Sequence, residues 1–97
     1  MPRVTTAEVP LEVLDCLFDE FDIWAKIQDD RLSSEPKPGT PTPSHDWPNA
    51  TSMIIIHRLP NGKHITTTHC IRHDKTGDVL HWDAKDLIVG DVRLFRP

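Results

Sequence analysis

Tyrosine is absent from this 97-residue chain, cysteine occurs twice and glycine four times. Long hydrophobic runs are also missing: none approaches the ~20 residues that a membrane-spanning helix needs. No charged-then-apolar leader opens the sequence, so neither a membrane anchor nor secretion is expected. Cys16 and Cys70 are few and far apart, and read as free thiols of a reducing compartment rather than a disulfide. A cytoplasmic protein is the expectation.

Positive charge is scarce as well. Eleven Lys and Arg face fifteen Asp and Glu, for a net charge of −4. The imbalance is local: residues 1–51 hold ten acids and four bases, residues 52–97 five acids and seven bases. Nucleic acid rewards clustered Lys and Arg, so it is not favoured as a partner. No internal repeat is visible, and a chain of this length makes one domain (1–97) that buries about 60–65% of its unfolded surface.

What is plentiful is proline, nine in all. Pro10 suits the first turn of a helix, where its missing N–H costs nothing. From Leu11 the apolar residues recur with helical period: Leu14, Leu17, Phe18, Phe21, Trp24 and Ala25 share a side. This predicts one amphipathic helix over residues 10–31, with Leu17 and Phe21 in its contact layer. Ahead of it, Val4 is a candidate edge-strand residue. Five prolines between Pro36 and Pro48 alternate with Ser, Thr, Lys and Gly, which predicts an extended connector over residues 32–51, either mobile or tacked to the surface through Trp47.

Residues 52–96 read as an antiparallel β-meander of four or five strands. Asn61-Gly62 between two β-rich runs is a strong hairpin signal. A two-residue turn there pairs Met53 with Cys70, Ile55 with Thr68 and His57 with Thr66. Asp74 to Gly77 is a second turn, pairing Ile71 with Leu80 and Cys70 with His81. A bulge near Gly77 would shift that pairing by one and exchange the faces of the third strand. Ala84-Lys85-Asp86 reads as a further turn, and Gly90-Asp91 as another. The registers put Ile54, Ile56, Ile65, Ile71, Leu80 and Trp82 on a core face, with His69 among them. They put His57, His64, Thr66, Thr68, Cys70, Arg72, His81 and Asp83 on an open, polar face. The fold class is therefore α+β, one N-terminal helix packed on one face of the meander.

Two surfaces carry chemistry. Glu12, Asp15, Asp19, Asp22 and Asp29 line the polar side of the helix; they are either a solvated face or a site for a partner protein of basic charge. On the sheet, His57, His64 and His81 could act as general acid and base, with Arg72 as a charge stabiliser, or they are plain β-surface residues. Cys70 with His81 and either His57 or Asp83 matches no established zinc spacing, so no metal and no cofactor are expected.

The order of helix, connector and antiparallel meander resembles in layout the ribonuclease toxins of the RelE kind, which pack helices on one sheet face and cut RNA on the other. That resemblance implies a small ribonuclease or other hydrolase, although this chain lacks the abundant Lys and Arg of such toxins. The other expectation is a non-enzymatic interaction or regulatory protein of the bacterial or phage accessory type (defence, counter-defence or toxin–antitoxin). It would act through the acidic helix or the His/Thr-rich sheet face, and a homodimer through a sheet edge or face is a further option.

Overall fold

The computed structural model describes residues 5–97; Val4 lies outside that range. In chain order the elements are β1 (Thr5–Glu8), α1 (Leu11–Glu20), α2 (Ile23–Gln28), β2 (Ser33–Pro36), β3 (Thr42–Pro43), β4 (Ala50–Arg58), β5 (His64–His73), β6 (Val79–Val89) and β7 (Val92–Phe95). They form an α+β fold with one sheet in the order β1-β7-β6-β5-β4-β2, and β3 also pairs with β4. The β4–β7 meander is antiparallel, as expected, while β1 joins β7 in parallel. Among the described residues no helix is long and apolar enough to cross a membrane.

The single helix expected over residues 10–31 is instead two. Asp22 adopts φ 53°, ψ 39° and ends α1 in the left-handed conformation. Asp30 ends α2 in the same way (φ 57°). There the Asp30 N–H donates to Ile27 O at 3.3 Å and the Arg31 N–H to Lys26 O at 2.9 Å. This is a Schellman end with aspartate where glycine is usual, and Asp is one of the few residues that tolerates the geometry. The break turns the apolar stripe. Leu14 and Phe18 of α1 and Ile23 and Ile27 of α2 are buried, but Phe21 is 41% exposed.

The connector is also more ordered than its prolines suggest. Strand β2 pairs with β4, Ser34 opposite His57 and Pro36 opposite Ile55, and β3 sets Pro43 opposite Thr51. Both short strands are exposed along their whole length. They lie at the sheet margin, the position where a missing proline N–H is tolerated.

The first hairpin keeps the expected pairs from Met53–Cys70 to His57–Thr66, but reaches them by two compensating shifts. Its turn is one residue longer than expected: the Gly62 N–H donates to Leu59 O (2.8 Å), the Leu59 N–H to Lys63 O (2.9 Å), and Gly62 takes φ 89°. The irregularity between His57 and Arg58, where Ile65 is the extra residue, then restores the register. In the third strand the foreseen one-residue shift does occur, with Leu80 rather than Gly77 as the inserted residue. Ile71 faces His81, Cys70 faces Trp82 and His69 faces Asp83. A second insertion at Lys85 replaces the turn expected at residues 84–86, so β6 runs unbroken. Because a bulge breaks the alternation of side chains, Ala84 and Leu87 both turn toward the helices.

These shifts decide which face is covered, and it is the opposite one from that expected. The helices pack over Trp82, Ala84, Leu87 and Leu94, which the pairing puts on the same side as His57, Thr66, Thr68 and Cys70. His57, Thr66, Thr68 and Cys70 are fully buried. Their polar atoms are paired internally, as burial demands. Trp82 Nε1–H donates to Thr68 Oγ1 (2.8 Å), Thr68 Oγ1 meets His57 Nε2 (2.7 Å), and His57 Nδ1 meets Ser34 Oγ (2.7 Å). Thr66 Oγ1 donates to the Asp86 carbonyl (2.6 Å). The chain Trp82, Thr68, His57, Ser34 thus ties the connector to the core through a neutral imidazole. Removing its last member, Ser34→Ala, is expected to cost about 1 kcal/mol, or a Tm lower by roughly 4–8 °C. Ser33→Ala should leave the thermal midpoint unchanged.

Candidate functional site

The uncovered face of the sheet carries Ile54, Ile56, Thr67, His69, Ile71, His81, Asp83 and Asp86, which pair with one another across β4, β5 and β6. Two features stand on it. One is a hollow of about 370 Å³ whose polar lining includes Lys37, His64, Lys85, Asp86, Arg93 and Arg96. Its floor is apolar, from Ile54, Ile56 and Phe95. Four cationic side chains therefore surround one carboxylate in a protein that is acidic overall. Asp86 is buried, and the Arg93 guanidinium donates twice to its Oδ2, from Nε (2.9 Å) and Nη2 (2.8 Å). His64 Nε2 lies 2.9 Å from Thr67 Oγ1, which holds the ring at the rim.

The second feature adjoins the first through Arg96. Its Nε donates to the Ala84 carbonyl (2.7 Å) and its Nη2 to Asp83 Oδ2 (2.9 Å). Asp83 Oδ2 is also 3.1 Å from His81 Nε2, and Asp83 Oδ1 is 3.4 Å from His69 Nδ1. The far nitrogen of His69, Nε2, is 2.7 Å from Ser52 Oγ. Trp47 of the connector stacks on His81 (centroids 6.1 Å apart, planes 22° apart). Burial lowers the His69 pKa from its ordinary value, against the opposing pull of the Asp83 carboxylate. The imidazole is therefore neutral at physiological pH, able to accept a proton or a cation.

The four residues first grouped as an acid–base set are separated. His64 and His81 are on the open face, at different features. His57 is on the other side of the sheet beneath the helices, its pKa pushed down to about 4 by burial, with His64 adding to the effect. Arg72 pairs with Val79 at the strand end, on the side that continues toward Cys70. A triad that includes His57 cannot reach a substrate on the open face. Of the acidic row, Glu12, Asp15, Asp19, Asp22 and Asp29 are all exposed, but Asp22 sits in the break between the helices. Asp29 is paired with Arg31 at 3.4 Å.

The residues that sequence reasoning passed over are His69, assigned to the core, and Lys85, Asp86, Arg93 and Arg96. The missing signal was the pair of insertions in β6. The one at Lys85 places Asp83 and Asp86, an odd number of residues apart, on one face. Comparison with protein-family models, with curated proteins and with solved structures gives no match, so function is read from this face alone.

Proposed function

We propose that the chain is a small interaction protein of the bacterial or phage accessory type, non-enzymatic, working in the cytoplasm through the open sheet face. Its partner is a protein that inserts an acidic segment into the hollow between Lys37, Lys85, Arg93 and Arg96. The observation that carries this reading is the convergence of four cations on one depression of a net acidic chain. The hollow's apolar floor adds burial, and ion pairs at its rim would speed and orient docking. Cys16 and Cys70 are unpaired, which supports a reducing compartment.

Titrating ¹⁵N-labelled protein with a tetraglutamate peptide should shift the amides of Lys85, Arg93 and Arg96, and the effect should fade between about 50 and 200 mM salt as screening grows. Lys85→Glu should abolish it. No shifts with tetraglutamate, and shifts confined to the helices with tetralysine, would move the working surface to Glu12, Asp15, Asp19 and Asp29, and so to a basic partner.

A hydrolytic reading is kept for one reason: His69 and His81 flank the Asp83 carboxylate at 3.4 and 3.1 Å, an acid–base cluster beside the cationic hollow. RNA cleavage by the purified protein that disappears in His81→Ala would replace the binding reading with a ribonuclease. The His57→Ala variant is no test of this, because His57 lies on the covered face.

A further inference from the structure

The three side chains of the second feature have a property that neither docking nor acid–base work requires. The ligand atoms of His69, His81 and Asp83 all lie within 4.8 Å of one another. The His69 Nδ1–Asp83 Oδ1 separation is 3.4 Å and the His81 Nε2–Asp83 Oδ2 separation 3.1 Å. A tetrahedral ion with bonds of about 2.0–2.1 Å has ligand atoms about 3.3–3.4 Å apart. Each imidazole already lies against one Asp83 oxygen and the three ligand atoms span no more than 4.8 Å, so a modest rearrangement closes them around a metal.

We propose that His69 Nδ1, His81 Nε2 and the Asp83 carboxylate form a three-ligand site for a divalent transition-metal ion, best matched by zinc. Three further observations carry it. Asp83 Oδ1 is buried and has no hydrogen-bond partner, an unmet demand for a cation in a place where such oxygens are normally satisfied. His69 is oriented from behind by Ser52 Oγ on Nε2, the outer contact that fixes the ring of a ligating histidine. His81 is held in place by its stack on Trp47. Arg96 does not compete for the same atom: it bonds Asp83 Oδ2 and the Ala84 carbonyl, leaving Oδ1 to the metal. The fourth position faces the open side of the sheet, where water or an anion from the adjoining hollow completes the sphere. Two imidazoles and one carboxylate with an open position suit zinc and disfavour calcium or magnesium, which take oxygen ligands.

The site is independent of the acidic partner proposed above, and the experiment separates them. Tag-free protein at pH 7.5 is titrated with zinc chloride by calorimetry, and in parallel with cobalt(II), whose visible d–d bands report coordination. One metal per chain is expected, with cobalt bands of tetrahedral intensity. His69→Ala and His81→Ala should each weaken binding at least tenfold, as should Asp83→Asn. His45→Ala and His73→Ala should not change it. Circular dichroism identifies any variant that fails to fold. Should Asp83→Asn do so, the two histidine variants, which are partly exposed, carry the result. Lys85→Glu should leave zinc binding intact while removing peptide binding. No zinc uptake by the folded protein overturns the proposal, and so does uptake that survives both His69→Ala and His81→Ala.

Discussion

Phe18→Ala is expected to destabilise the protein by about 3–5 kcal/mol, the cost of truncating a fully buried aromatic side chain. In a domain of this size that corresponds to a Tm lower by about 12 °C or more. Phe18 has no exposed surface and packs on Trp24 at 5.1 Å between ring centroids, and Trp24 in turn meets Trp82 edge-on at 5.4 Å. Truncation removes one end of that stack and opens a cavity under Leu14. Phe21→Ala, three residues on, should cost under about 1 kcal/mol, because 41% of its surface is already in water and exposed positions change stability little. Differential scanning calorimetry of the two variants checks both values. A large loss at Phe21 with none at Phe18 would mean that the helix is continuous through Asp22.

The second large effect is on pH. His57 is neutral in the folded protein, its pKa lowered from 6.5 to about 4 by burial, with a smaller contribution from nearby His64 and a partial counterweight from Asp86. The unfolded chain binds its proton near pH 6.5, so below that value it holds more protons than the folded one, and stability falls as pH falls. The loss starts at about pH 6.5 and is complete near pH 4. At pH 5 it amounts to about 2 kcal/mol from His57 alone, and it approaches about 3 kcal/mol at pH 4. His69, also shifted downward by burial, adds in the same direction. Urea unfolding at pH 7.5, 6 and 5 measures the slope. The window between pH 5 and 6.5 is diagnostic, since ordinary carboxylates do not titrate there. His57→Gln should lower stability at pH 7.5 and flatten the slope. An unaltered slope in that variant would assign the acid sensitivity elsewhere.

Both predictions rest on a face of the sheet that the sequence presents as polar surface. The reason is local. Turn signals such as Asn61-Gly62 are read from the residues that make them, but the pairs from Met53–Cys70 to His57–Thr66 are reached only because a longer turn and the insertion at Ile65 cancel. Insertions at Ile65, Leu80 and Lys85 have no such signature, and each exchanges the faces of the residues beyond it in its strand. Nor does alternation alone reveal that His57, Thr66 and Thr68 have internal partners, which lets a helix cover them without an unpaired donor. Legible in advance were the α+β class and the antiparallel meander. Hidden was the left-handed aspartate that splits the helix, because Asp22 looks like a member of an acidic row. The site suffered most. Joining His69, His81 and Asp83 depends on the insertion at Leu80, and bringing Arg96 to them depends on the one at Lys85.

The prolines of the connector have a consequence for crowding. Strands β2 and β3 close one flank of the sheet, and the Lys37 N–H points inward to Ile54 O at 2.7 Å. Backbone groups alternate along a strand, so the donor missing at Pro36 is missing on the outward side, where a neighbouring molecule would seek it. The other flank is β1, Thr5–Glu8, which contains no proline. A strand approaching the β2 flank, by contrast, meets no donor at Pro36, which weakens that flank as a template for pairing. The proline that lets the connector lie along β4 thus also makes the margin it forms a poorer edge for backbone-driven association.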